Sequence, residues 1–496
     1  MWFTPDIEQA GAQHGRGCIE QILTLRLLID SARASKKPLY VLFVDFKKAY
    51  DLVPRSKLLR QLALFGCGKR MLLAIARTLD NTLSRIGNEV FEAKIGVRQG
   101  GSSSSFLFVF FVNPLIRTLK SCAPDSWIKD LHVLMLMDDT VIFATTRESM
   151  QHKIHKLCEF CAEFDMTINQ RKTKFIGINT PDNDPFLTDG LIIEETSSYV
   201  YLGSTIMNAS LSNQIANEIK LRTKHGRKFS SFISAHRDAP FAVKRKVWDA
   251  AVVSAVLYGC ETWWTSDIKS AATLYMSTIK QLLGVRSQTS NDLTLMELEL
   301  PSLSALVKKR QRNFFCKYTN RSDYNMTPMK RALDIAIACR SPMSKYFTRN
   351  ILTEENSTDP IHEDINQRRI TIQTSGHTRM STYICMNPNL TISNVYTSSP
   401  AVPEYMRIIY SKFRLSSHRL MVETGRWSRI PRENRLCDCG LGQVQDEQHV
   451  LCDCPQTADI RNSFPNIDFN MTAIMKINNA SVVVQIISNV MSKYNK

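Results

Sequence analysis

No apolar run in this 496-residue chain is long enough to cross a bilayer: the longest, 106–112 and 250–258, fall far short of the roughly 18 to 20 residues a span requires. The opening MWFTPDIEQA has no basic stretch leading into an apolar core, so it lacks the form of a secretion signal. Acids are in deficit, with 46 Asp plus Glu against 63 Lys plus Arg and a formal charge of +17. That balance points to a polyanion such as nucleic acid, with an acidic membrane surface as the rival partner. The 13 cysteines are odd in number and scattered, unlike a small disulfide scaffold, and their only tight cluster lies near the C-terminus. The expectation is a soluble chain of the nucleus or cytoplasm with no membrane partner. At 44% apolar content disorder is excluded, and the length predicts two to four domains.

The first 38 residues hold a basic, glycine-bearing segment and an amphipathic helical run over 19–29, too little for a complete domain. LYVLFVDF from Leu39 reads as a buried strand, followed by a helical pattern over 56–79 with Ser56 as N-cap. A hairpin over 85–95 turns at Gly87-Asn88, and four serines then open an apolar helix whose start could seat a phosphate. Two strand-like runs, 131–137 and 140–145, flank a tight turn at Asp138-Asp139. Met150, Ile154, Leu157, Cys161 and Phe164 give an amphipathic helix, and 174–179 returns as a strand. The order predicts an α+β fold, a split βαββαβ antiparallel sheet with helices on one face, carrying an insertion. Beyond Gly203 the chain reads as helical to about 345, and 211–330 carries 19 Lys plus Arg against 9 Asp plus Glu. Residues 346–403 are polar and read as linker.

In that arrangement the first and third strands are neighbours, so Asp45 at one strand end meets Asp138 and Asp139 at the turn. Two carboxylates about 4 Å apart repel by about 1 kcal/mol in water and about 4 kcal/mol at an effective dielectric near 20. Mg²⁺ offsets such repulsion, and two ions together can serve attacking and leaving oxygens in an in-line phosphoryl displacement. This is nucleotidyl-transfer chemistry. Asp in turns is also a common local cap, and an Asp-Asp turn by itself does not distinguish the two.

VLFVDFKKAYDLVPR (41–55), IGVRQGGSSSSFLF (95–108), LMLMDDTVIF (134–143) and MTINQRKTKFIGIN (166–179) resemble, in order and spacing, the palm motifs of reverse transcriptases of the non-LTR retrotransposon (long interspersed element) type. The resemblance is strong over about 13–205 and extends more loosely through 199–206, 255–264 and 281–286. It implies a right-hand polymerase palm followed by a helical thumb or connection. It implies RNA-directed DNA synthesis, with dNTPs joined to a DNA primer on an RNA template. Asp45 and Asp138 would hold two Mg²⁺ ions with the Phe46 carbonyl, and Asp139 would support them. Tyr50 would lie under the incoming sugar and exclude a 2′-hydroxyl, where the residues alone suggest an ordinary packed aromatic. Arg98, Gln99 and Gly100 would meet the nascent base pair and template. Lys172, with Lys174 as the alternative, would assist departure of pyrophosphate.

RLCDCGLGQVQDEQHVLCDCP offers Cys437, Cys439, His449 and Cys454 as a structural Zn²⁺ set, with Cys452 competing for the fourth place and free thiols as the other reading. Cys454-Pro455 matches the family's C-terminal Cys/His module. The family's endonuclease and most of its fingers are not recognised here, which leaves a nucleic-acid-binding remnant without activity as the alternative function. The expected divisions are 1–38 residual fingers, 39–205 palm, 206–345 basic helical thumb, 346–410 linker, 411–465 Cys/His module and 466–496 tail. Oligomeric state is not legible.

Overall fold

LYVLFV in β1 (Leu39–Val44) is apolar without alternation, and all six residues are buried. A strand of that pattern is hidden on both faces. In the computed structural model, which describes residues 4–80, 83–98, 100–188, 190–264, 268–352, 358–397 and 402–494, β1 lies inside a four-stranded antiparallel sheet. Its partners are β5 (Asp139–Ala144) on one side and β6 (Lys174–Ile178) on the other. Beyond β5 lies β4 (Val133–Leu136), so the sheet runs β4-β5-β1-β6.

The chain divides into two compact units, 1–218 with 259–266 and 311–355, and 219–258 with 267–310 and 356–496. Helices supply most of the regular structure. In the first unit, Tyr40, Leu42 and Val44 of β1 face a core filled by α2 (Arg55–Leu64), α4 (Ser104–Lys120) and α5 (Arg147–Phe164). Leu39, Val41 and Phe43 face a second core, made by α1 (Cys18–Ser35) and by Phe315, Met329, Leu333 and Phe347. Helices therefore cover both faces, not one as expected, because an unalternating strand needs apolar partners on both sides.

The expected amphipathic run 19–29 is likewise buried all round, from Glu20 to Ala32. Two of its polar groups find distant partners: Arg26 meets Glu218, and Asp30 accepts from the Met343 amide at 2.8 Å. The first residues are not idle either. Ala10 N donates to Met135 O at 2.8 Å and Met135 N to Glu8 O at 3.0 Å, a short parallel pairing on the outer edge of β4.

The single helix expected over 56–79 is two, α2 and α3 (Lys69–Leu79), broken at Phe65–Gly68 where Gly66 takes φ 85°. Pro54, not Ser56, precedes the first helical residue, as its fixed φ suits a helix start. The hairpin β2 (Leu83–Ile86) and β3 (Glu89–Glu92) turns at Gly87-Asn88, as the sequence predicts. Two further hairpins, β7 (Phe186–Thr188) with β8 (Leu191–Ile193) and β9 (Ser198–Tyr201) with β10 (Ser204–Met207), follow β6.

In the second unit the expected polar linker is largely helical. Pro360–Thr374 and Thr378–Met386 bury Ile372, Tyr383 and Met386. Their polar residues are spent on internal contacts: Asp364 accepts from the Ser302 amide at 2.9 Å and from Arg368 at 2.6 Å, and Arg368 donates to Leu300 O at 2.9 Å. Among the described residues no helix is long and apolar enough to cross a membrane.

Candidate active site and Cys/His cluster

Asp45 directly follows β1, whose antiparallel register with β5 pairs Val44 with Thr140. One residue further that register sets Asp45 opposite Asp139. Leu136 pairs with Asp139, so the turn of the β4–β5 hairpin is Met137-Asp138, one residue earlier than expected, and Asp139 is the first residue of the strand. Met137 takes φ 60°, a left-handed conformation that side chains rarely adopt. It is held there by buried Gln9, whose Oε1 accepts from Met137 N at 2.9 Å while Nε2 donates to Met137 O at 3.3 Å. Gly11 completes the clamp: a Cβ there would lie 2.7 Å from Met137 Sδ and 2.8 Å from its backbone N.

The loop after α5 fixes Asp45. Asn169 Nδ2 donates to Asp45 Oδ2 at 2.8 Å, Asn169 N donates to Asp45 O at 2.7 Å, and Asp45 N donates to Thr173 Oγ1 at 3.2 Å. Lys172 Nζ stands 3.5 Å from Asp45 Oδ1 and is 68% exposed, while Lys174 pairs with Glu194 at 2.6 Å. Of the two lysines, Lys172 is thus the one beside the acid. Phe46 is buried and bridges backbone to backbone with Ile168.

The acids act on one another and on two tyrosines. Burial first, and then Asp138 and Asp45, push the Asp139 carboxyl up to about 6. Burial, then Asp45, raises Asp138, against a lowering contribution from its own backbone. Tyr199 is raised to about 12 by burial and then by Asp45 and Asp139, and its ring stacks on Phe43 at 4.2 Å. Tyr50 is raised by burial and then by Asp138, and its ring stacks on Phe108 at 4.3 Å. Among the described residues no lysine or arginine pairs with the Asp138 or Asp139 carboxylate, and the three acids are not drawn into a group as tight as the Cys/His cluster described below. An open group of hard oxygens suits Mg²⁺, which keeps waters and binds through one or two carboxylates plus phosphates.

The expected template-side segment joins this site through backbone. Val97 N donates to Tyr50 O at 2.9 Å, which ties the strand of chain leading to Arg98 to the Tyr50 loop. Arg98 is exposed and, with Arg55 and Ser102–Ser104, lines a cavity of about 640 Å³ at the start of α4. Gly100 takes φ 79°, and Gln99 lies outside the described residues.

The C-terminal cluster is tighter. Cys437, Cys439, His449 and Cys454 bring their ligand atoms within 4.8 Å of one another, the one such group among the described residues. A bridge between Leu436 and Val444 closes a loop whose Gly440 and Gly442 take φ 84° and 65°, values open to glycine at no steric cost. Gln443 Oε1 lies 2.6 Å from His449 Nδ1, which leaves Nε2 free toward Cys439 Sγ at 3.3 Å. Burial pushes the Cys437 thiol up to about 11, so a thiolate there needs a cation. Cys452, the competing ligand, stays out of the group; burial raises its thiol to about 11 as well.

Gln9, Asn169 and Tyr199 had no assigned role from the sequence. Gln9 and Tyr199 act across 128 and 154 residues from Met137 and Asp45 respectively, separations at which no local pattern speaks. Asn169 sits within a motif already noted.

Residues 6–206 match the family model described as reverse transcriptase (RNA-dependent DNA polymerase). The Pol polyprotein of the type-1 retrotransposable element R2 of Bradysia coprophila is 26% identical over 36% of this chain and 21% of its own length. The corresponding R2 polyprotein of Popillia japonica is 24% identical over 58% of this chain and 42% of its own. The chain thus spans less than half the length of these relatives. Among solved structures, the telomerase of Candida albicans is 11% identical, with a TM-score of 0.35 over 74% of this chain and 54% of its own.

Proposed function

We propose that residues 6–206, which match the reverse transcriptase model, form such a domain of the non-LTR retrotransposon type, and that the chain carries out RNA-directed DNA synthesis, joining dNTPs to the 3′-hydroxyl of a DNA primer on an RNA template. The observation that supports this is the β1–β5 register, which carried one residue further brings Asp45 opposite Asp139, next to the turn that holds Asp138, with no lysine or arginine paired to Asp138 or Asp139 among the described residues. The strand order β4-β5-β1-β6, with its crossing helices, supports reading the sheet as a polymerase palm.

Asp45 and Asp138, with the Phe46 carbonyl, would hold two Mg²⁺ ions, and Asp139 would add charge behind them. Bound there, the ions supply charge neutralisation for the triphosphate and the developing oxyanions. Tyr50, braced on Phe108, forms a floor on which the sugar of the nucleotide lies, and a 2′-hydroxyl collides with the ring. Arg98, Gln99 and Gly100 border the template and the nascent pair. Lys172, exposed beside Asp45, offers a proton or charge to the departing pyrophosphate. The reaction is attack of the primer oxygen on the α-phosphorus, with the P–O bond to the β-phosphate breaking and pyrophosphate leaving. The basic helical stretch after 206 reads as the thumb that grips duplex backbone. Cys437, Cys439, His449 and Cys454 would bind a structural Zn²⁺.

Primer extension on an RNA template with Mg²⁺ tests this. Wild type is expected to extend, and Asp138→Asn to lose at least about a hundredfold in rate while still binding the template-primer duplex. A folded wild type that binds but never extends would leave only a nucleic-acid-binding remnant.

A further inference from the structure

Trp427 closes the helix Met421–Trp427 in the second unit with its indole 52% exposed. One face of the ring is taken: the Arg286 guanidinium lies 4.1 Å from its centroid. Arg286 is itself anchored, with its Nη2 donating to Ser416 O at 3.1 Å and its backbone N to Ser417 Oγ at 2.9 Å. Together with Gln288, Thr289, Arg379 and Ser416 these residues line a cavity of about 390 Å³.

The charge around that cavity is lopsided. Arg379 and Arg426 both reach the buried Glu423, at 3.1 Å each, and Arg286 stands 3.9 Å from the same carboxylate. Three guanidiniums thus share one acid, and each keeps about 30% of its side chain exposed. Lys412 and Arg419 add to the field, since burial and then these two cations' mutual repulsion and Arg286 push Lys412 down. The nearby Glu447 is engaged by His418 at 2.8 Å.

A cavity of this kind asks for a ligand that is anionic and also carries a flat apolar face. A bare anion leaves the indole without a use, and a duplex keeps its bases stacked on one another. An unpaired nucleotide satisfies both, because every base offers a π-face and its backbone offers the charge. The Arg286 contact has already ordered the ring, so stacking on the free face costs little further side-chain entropy. We propose that Trp427, Arg286 and Arg379 form a binding site for an unpaired nucleotide of a single-stranded nucleic acid, with the base on the open face of the indole and the phosphate against the arginines. The site lies outside residues 6–206 and does not depend on polymerisation.

The test uses the full chain with 12-nucleotide oligo-dT and oligo-U strands, each also prepared with 5-iodouracil for photocrosslinking. Irradiation is expected to give an adduct on the peptide bearing Trp427, suppressed by unlabelled single strand and not by blunt duplex; the stronger arm identifies the sugar preferred. Trp427→Ala is expected to weaken anisotropy-measured binding about tenfold, Trp427→Phe to restore most of it, and Arg286→Ala to lower the salt dependence by about one phosphate contact. Asp138→Asn is expected to keep the adduct, which separates this site from the polymerase reading. Adducts that form elsewhere but never at Trp427, or unchanged affinity in a folded Trp427→Ala chain, would overturn the proposal.

Discussion

Met137 keeps a left-handed backbone at the turn bearing Asp138 because Gln9 satisfies both its amide and its carbonyl. Removing that amide side chain leaves two half-buried backbone groups without their partner, at about 1 kcal/mol, and frees the turn. Gln9→Ala is therefore expected to lower the extension rate about tenfold with little change in apparent dNTP affinity, because the acids are misplaced by small amounts rather than lost. Single-turnover kinetics check this; a rate equal to wild type would mean the turn holds itself. His132 behaves differently. Burial, and then Lys153, push its imidazole down to about 4, below the ordinary value near 6.5, against the pull of Asp125 and Asp130. A folded value below the unfolded one means the contribution is full above about pH 6.5 and is lost as pH falls toward 4. Chemical denaturation from pH 7 to 4.5 is expected to show a loss of about 2 kcal/mol that His132→Gln abolishes.

At the level of elements, the strands and the two core-facing helices of the sheet were readable because strong apolar runs of the right length lay between turn residues. That Asp45 and the Asp138-Asp139 pair lie at strand ends was readable for the same reason, whereas the distant groups that hold them, Gln9 on the turn and Asn169 on Asp45, were not. What stayed hidden depends on distance along the chain. Nothing near residues 8–11 announces a pairing with β4, and nothing in β1 alone says which residues cover its second face, although its lack of alternation already called for some. The segment 360–397 misled through composition: its Ser, Thr, Asn and Arg read as solvent-facing, while in the fold they satisfy one another. Glu297 shows how. It accepts from Arg414 Nε at 2.7 Å, Arg414 Nη2 at 2.9 Å, Tyr383 at 2.7 Å and Tyr396 at 2.8 Å, all buried. Arg414→Met leaves that carboxylate without its counter-charge, and a destabilisation of about 3–5 kcal/mol is expected by equilibrium denaturation. Glu297→Gln with Arg414→Met together should recover part of it.

Across the whole molecule, the two units depend on different kinds of cohesion. The first has a sheet with apolar cores on both sides, whereas the second is helical, and to its buried apolar side chains it adds buried ion pairs and a Cys/His cluster of four residues. A zinc chelator is therefore expected to lower the melting temperature and to expose four titratable thiols at Cys437, Cys439, Cys454 and the neighbouring Cys452, with metal content by mass spectrometry as the check. Unchanged melting after complete removal of metal would show that the cluster holds without it.

The second face of the sheet has a consequence for how the chain is made. Val41 and Phe43 wait for Phe315, Met329 and Phe347, which leave the ribosome some three hundred residues later. At about 5–20 residues per second that is tens of seconds during which α1 covers that side of the sheet without its later partners, and part of it is open to unwanted association. The second core of the sheet cannot be finished locally, and that side of the nascent polypeptide stays incomplete until its own later helices arrive.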